Sequence, residues 1–246
     1  MKLQLLQAHN FDNNQWLGLD SEELYKKNLE IQPENWEWRN KKFFYTTNSQ
    51  GYRALEWDQI DWNNSILVFG CSQVFGVGVP DDQTMCAHLN KILGINVVNL
   101  GIPGGSFMST WINTEKILNH NIKPIAVIYN WPMPERTVEL FSETKNKSIG
   151  PWSFNSSSNP AFGHDWILHS THSLEYAKYV LMSVRRSWNC PQLHYSWDMK
   201  TAGLFNLPRV LKVDTARDMS HNGPLTCKAW AETWAANLSP LIREKL

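Results

Sequence analysis

From Ser65 onward the chain alternates short, β-rich apolar runs with stretches of helical periodicity, and this alternation most limits what it can fold into. The runs are "SILVFG" (65 to 70), "INVVNLG" (95 to 101), "IAVIYNW" (125 to 131), a weaker "PQLHYS" (191 to 196) and "RVLKVD" (209 to 214). Strands joined through helices are parallel, because a parallel pair needs a long crossover that a hairpin turn cannot supply. Between the first two runs, "QTMCAHLNKIL" carries Met85, Leu89 and Ile92 at helical spacing and ends before Gly94. Between the second and third, "SFMSTWINTEKILNH" repeats the pattern with Phe107, Trp111 and Ile117 or Leu118. Two such units in series make a doubly wound sheet.

The rest of the chain frames this core. Residues 1 to about 60 are polar, aromatic and irregular, with one helical piece, "SEELYKKNLEI", opened by Ser21. They read as an extension wrapped on a core domain of residues 61–246. "HDWILHSTHSLEYAKYVLMSVRRSW" predicts one long helix or two, and "PLTCKAWAETWAANLSPLI" one begun by Pro224. Residues 142–163 are rich in Gly, Ser, Asn and Pro, which predicts an excursion loop and a candidate lid or substrate-contacting insertion. No internal repeat is present.

Composition excludes several classes. The 23 basic residues balance 23 acidic ones, so no global field draws nucleic acid or an anionic membrane. No apolar run approaches the roughly 20 residues of a bilayer-spanning helix, and the N-terminus is too polar for a secretory signal, so a cytoplasmic location is expected. The four cysteines, at 71, 86, 190 and 227, form no C-x-x-C pair and read as free thiols. Thirteen tryptophans are unusual; in "ENWEWRN" and "HYSWDMK" a flat face is available to stack on a sugar ring or acyl chain, although core packing is the simpler role.

In an open parallel sheet, ligands collect beyond the carboxyl ends of the strands. The first run ends in Gly70, Cys71 and Ser72; the second is followed by Gly104 and Gly105; the third carries Asn130; after the fifth, "DTARDMSHNGP" places Asp218 three residues before His221. A serine hydroxyl becomes a nucleophile when an imidazole takes its proton, and a carboxylate on the other ring nitrogen fixes the tautomer. A developing oxyanion needs donors, which glycine-loop N–H groups and an Asn amide supply. Each residue also has a plainer role: Ser72 in a turn, Asp218 as a cap, His221 as a turn residue, and Gly104 and Gly105 as a turn into the next helix. The ordered set at successive strand ends is what favours chemistry.

Other motifs fail. The glycines of "GCSQVFGVG" lack the Lys of a P-loop and the third glycine of a dinucleotide fingerprint, and Val74 stands where G-x-S-x-G needs glycine. Asp165, His169 and His172 share helical spacing that suits a metal, but a polar helix face is the simpler reading. Cys71 should point away from Ser72 if the strand alternation continues.

"GCSQVFG", "NLGIPGG", Asn130 and the late D-x-x-H, in this order, resemble the SGNH or GDSL-type hydrolase superfamily, and "NSQGYR" (48 to 53) is similar to a segment before the serine block in some members. The resemblance implies a three-layer αβα sandwich, a flavodoxin-like doubly wound parallel sheet of about five strands. It implies Ser72 as nucleophile, His221 as base and Asp218 as its orienting acid, with the Ser72 N–H, Gly104 and Asn130 forming the oxyanion hole. It implies a serine esterase or carbohydrate O-deacetylase needing no metal or organic cofactor, acting on a small-molecule or glycan ester. An acyltransferase on the same site and a non-catalytic carbohydrate-binding module are the alternatives. Two departures stand out: Cys71 replaces the family's frequent Asp, and "IYNW" keeps only the Asn of the usual third block.

Overall fold

The computed structural model describes residues 2–8, 14–150 and 170–243, with the side chains of 170–172 left aside. In chain order the elements are α1 (Glu22–Ile31), β1 (Ser65–Gly70), α2 (Ser72–Phe75), α3 (Met85–Leu93), β2 (Asn96–Gly101), α4 (Phe107–Leu118), β3 (Ala126–Trp131), β4 (Thr137–Leu140), β5 (Asn146–Ile149), α5 (Ser170–Ser187), β6 (Gln192–Ser196), α6 (Met199–Phe205) and α7 (Pro224–Ile242). The main sheet runs in the order β2-β1-β3-β6, all neighbours parallel. The chain winds outward from β1 to β2, then returns to the other side of β1 for β3. The winding therefore reverses between β1 and β3, where such folds open a crevice.

Helices cover both faces. Ile66, Val68, Ala126 and Ile128 pack into one apolar cluster with Met85 and Leu89 of α3 and Trp230, Trp234 and Leu238 of α7. Their alternates, Leu67, Phe69, Val127, Tyr129 and Trp131, face a second cluster with Phe107 and Ile117 of α4 and Ala177, Val180 and Val184 of α5. Strands β1 and β3 are buried along their whole length, which is why they read as continuous apolar runs. The architecture is the expected αβα sandwich.

Helix ends follow local chemistry. Ser21 caps α1 by accepting from Leu24 N–H, Thr84 caps α3, and Ser106 forms a reciprocal capping box with Ser109. Gly94 ends α3 at φ +67°. Of the stripe expected on α3, Met85 and Leu89 are buried but Ile92 is 47% exposed; Cys86 takes the inner position instead.

Two expectations change. The run 209–214 does not join the sheet, which among the described residues has four strands. It leaves Leu211 and Val213 exposed, and the N–H groups of Val213 and Asp214 go to the Thr226 hydroxyl at the start of α7 rather than to a strand. Residues 142–163 are not loop throughout, since β5 pairs antiparallel with β4 across 137–149. The remainder of that stretch, and the Asp165, His169 and His172 group, lie outside the described residues or side chains. No helix among the described residues is long and apolar enough to cross a membrane.

The N-terminal residues fill both faces. Trp38, Phe43 and Tyr45 pack in the α3/α7 cluster, and Leu5, Leu6 and Tyr52 in the α4/α5 cluster. Trp38, Trp57, Trp131, Trp188, Trp230 and Trp234 are all buried, so much of the tryptophan surplus serves packing.

Candidate active site

Residues Ser65 to Val79 are buried with one break, Ser72, which is partly exposed. Strand β1 delivers it: the chain stops pairing at Gly70, passes Cys71, and turns into α2 with Ser72 as first residue. Gly70 is required here because a Cβ would lie 2.4 Å from Val74 Cγ2 and 3.0 Å from the Asn130 carbonyl oxygen. Gly101 admits the same turn, since its Cβ would meet the Phe75 backbone nitrogen at 2.3 Å. The strand alternation ends before Cys71, so its sulfur is not turned fully away: it lies 4.0 Å from Ser72 Oγ. Cys71 is nonetheless completely buried, which removes it as an accessible nucleophile.

The second component comes from the loop between residue 214 and α7. Asp214 accepts from the N–H groups of Leu225 and Thr226 at 2.8 and 2.7 Å, capping α7 from outside because its own N-cap is Gly223. Such a cap contributes about 1 kcal/mol. Thr215 and Asn222 form an antiparallel bridge that closes the loop, and Met219 at φ +60° reverses the chain inside it. A non-glycine residue in this region stores about 1–2 kcal/mol of strain, and here the turn carries Asp218 beneath the ring of His221.

The two parts meet. His221 Nε2 lies 2.9 Å from Ser72 Oγ although the residues are 149 positions apart. His221 Nδ1 and Asp218 Oδ2 are joined by a short hydrogen bond, and Asp218 Oδ1 accepts from the N–H groups of Ser220 and His221, each at 3.0 Å. With Nδ1–H donating to Asp218, Nε2 is the acceptor and the Ser72 hydroxyl donates to it. Burial alone would raise the Asp218 carboxyl; the hydrogen bond and charge of His221, with the two backbone donors, outweigh burial and hold its pKa below the usual value. Asp218 therefore stays ionised. Asp218 and His221 are both buried, so Ser72 is the most open member of the three.

The expected oxyanion donors sit at neighbouring strand ends. Gly104 follows β2 in the left-handed region at φ +72°. Asn130 is paired in register with Gly70 across β1 and β3, and shares the sheet face of Ile128. It is 1% exposed, and neither its amide nitrogen nor its oxygen has a hydrogen-bond partner among the described residues. Leaving a buried amide unpaired costs about 1–3 kcal/mol.

Several supporting residues were not legible as such. Gln73 Oε1 accepts the Asn222 N–H at 3.0 Å, tying the residue after Ser72 to the residue after His221. Arg53, in the "NSQGYR" segment, donates to the Gly76 and Val79 carbonyls and pairs with Asp81, clamping the loop beyond α2. Asp20 and Arg217 form an ion pair at 1% exposure on each side. Removing one partner of such a pair strands a buried charge at about 3–5 kcal/mol. Burial, then the Asp20 charge and hydrogen bond, push the Tyr45 phenol far above its ordinary value, so it remains a donor to Asp20. Of these residues Arg53 lay in a stretch the sequence had marked, "NSQGYR".

No family model matches the chain, and no curated protein does. Among solved structures it is similar to a carbohydrate acetylesterase family member from Sinorhizobium meliloti, at 11% identity and TM-score 0.44 over 73% of this chain and 99% of that one. It is similar to a carbohydrate esterase family 2 enzyme with a carbohydrate-binding domain from Corynascus thermopiles (Myceliophthora fergusii), at 11% identity and TM-score 0.45 over 82% of this chain and 70% of that one. A member of the lipolytic protein G-D-S-L family from Veillonella parvula matches at 11% identity and TM-score 0.37 over 72% of this chain and 99% of that one. Likeness at this level assigns neither residue nor substrate.

Proposed function

We propose that the chain is an SGNH-type serine hydrolase acting on ester bonds, an esterase or carbohydrate O-deacetylase, with residues 1–60 an extension packed on a catalytic unit of 61–246. One observation carries the reading: the unbroken hydrogen-bonded series from the Ser72 hydroxyl through His221 to Asp218 at the carboxyl end of β1. His221 withdraws the Ser72 proton as Oγ attacks the ester carbonyl, and Asp218 steadies the imidazolium that forms. The negative charge moving onto the carbonyl oxygen is met by the Ser72 and Gly104 N–H groups and the Asn130 amide. The unpaired state of Asn130 supports that role. His221 then returns the proton to the departing alcohol, and water, activated by the same imidazole, releases the acid from Ser72.

Turnover of p-nitrophenyl acetate and of an O-acetylated glycan tests this. The reading requires hydrolysis that disappears in Ser72→Ala while the variant stays folded. Product trapped as a new ester when an alcohol is added assigns an acyltransferase on the same site. A folded protein that binds glycan and hydrolyses neither ester is a carbohydrate-binding module, and the enzymatic reading falls.

A further inference from the structure

The buried carboxylate of Asp20 touches, through one intermediary each, the loop that carries Asp218 and His221 and the loop that follows Ser72 and α2. Arg217, beside Asp218, donates to Asp20 from Nε at 2.9 Å and from Nη2 at 2.7 Å. Tyr45 donates to the same carboxylate, and its phenolic oxygen accepts the Gly78 N–H at 2.8 Å, in the loop that follows Ser72 and α2. The two loops also meet directly: the Arg217 N–H donates to the Gly78 carbonyl at 3.0 Å. Gly78 stands at φ +80°, and a Cβ there would lie 2.7 Å from Ala216 Cβ and 3.4 Å from Asp218 Oδ1. The guanidinium carbon also lies over two rings, 4.2 Å from the Trp16 ring centre and 4.0 Å from that of Phe43.

A charged pair is not what a core needs for stability, since apolar residues of similar volume usually serve as well or better. What two-pronged pairing supplies is a fixed direction and distance. Resting on the serine-hydrolase reading, we propose that Asp20 is a positioning residue: from the N-terminal segment it sets the spacing between the loop bearing Asp218 and His221 and the loop behind Ser72. The segment is then part of the catalytic apparatus rather than a covering over it. Asp20 itself takes no part in proton or acyl transfer.

Three variants test this: Asp20→Asn, which breaks the charge pairing; Tyr45→Phe, which removes the hydroxyl that joins Asp20 to Gly78 while keeping the Arg217 pair; and Asp20→Leu/Arg217→Met, which fills the space with no stranded charge. Rates are expressed per site titrated with a fluorophosphonate, so that loss of folded protein does not count. The positioning role requires kcat to fall about 10- to 100-fold in Asp20→Asn and about 3- to 10-fold in Tyr45→Phe, with KM changed less than about threefold. The double variant must melt above Asp20→Asn and still have kcat at least about 10-fold low. Titrated kcat within twofold of the parent in the double variant and in Tyr45→Phe overturns the proposal, leaving the pair a packing element. A second readout needs no turnover: the low-field proton resonance of His221 Nδ1–H, present in the parent, must broaden or vanish in the double variant, and its unchanged persistence contradicts the role. If the parent itself is inert to ester and fluorophosphonate, the hydrolase reading fails while this resonance still decides whether Asp20 orders the loop.

Discussion

The two loops that build the site are held in opposite ways. Ser72 is placed by its own neighbourhood: a buried strand ends at Gly70, a glycine admits Val74, and α2 begins. The loop carrying Asp218 and His221 has no strand beneath it, because the run before it stays out of the sheet. It is fixed from a distance, by α7 through Asp214, by the N-terminal segment through Asp20 and Trp38, and by Gln73 beside Ser72. The proposed nucleophile, placed locally, and the proposed base, placed by remote contacts, differ in vulnerability: substitutions far along the sequence should disturb the second and spare the first.

The largest expected effects come from the site itself. Replacing Ser72 or His221 by Ala, or Asp218 by Asn, should lower kcat for an activated ester by about 10⁴-fold or more, read by steady-state assay. Asn130→Ala should lower kcat by about 10²- to 10³-fold with little change in KM, the loss for one oxyanion donor. An effect below about threefold would remove Asn130 from the reaction and leave the buried unpaired amide without a role.

The remaining tests separate the loops. Gly78→Ala forces a Cβ into Ala216 at a positive φ, so it should cost about 1–3 kcal/mol in thermal unfolding and lower kcat through the acid–base loop. His194 supplies the contrast: it lies in β6 and stacks on Tyr129 and Trp131. Burial, then the nearby charge of Arg185, push it down from 6.5 to about 3, so the ring is neutral in the fold. Its contribution is full above pH 6.5 and drains away as pH falls from there toward about 3. At pH 5 that amounts to about 2 kcal/mol, so His194→Phe should show a shallower acid-side loss of stability in denaturant titrations, with kcat near pH 8 nearly unchanged. At neutral pH the same variant gives up the Trp131 Nε1 bond to His194, at about 1 kcal/mol. Smallest of all, Asp214→Ala should cost about 1 kcal/mol in thermal unfolding as α7 loses its outside cap.

What the sequence disclosed follows the same division. Strands β1, β2 and β3, their crossover helices and the Ser72 turn are written in apolar period and glycine position, which are local. Asp218 and His221 were legible because their spacing of three is local too. The segment 209–214 misled because "RVLKV" is as β-rich and apolar as the true strands, yet its backbone partner is a threonine on α7. Hairpin strand β5, "NKSI", has no apolar alternation to announce it. Asp20, Tyr45 and Arg217 could not be read at all, since a buried ion pair across 197 positions leaves no periodic trace. Core packing was the simpler role for the Trp surplus, and much of it lies in the two cores.

The central claim is that Ser72 is activated by His221, and fluorophosphonate labelling followed by intact-mass and peptide mass spectrometry tests it most directly. The account requires one adduct per chain on Ser72, none in Ser72→Ala, and labelling slowed by about 10³-fold or more in His221→Ala. A folded protein that takes up no label, or one that labels equally well without the Ser72 hydroxyl or the His221 ring, would contradict it.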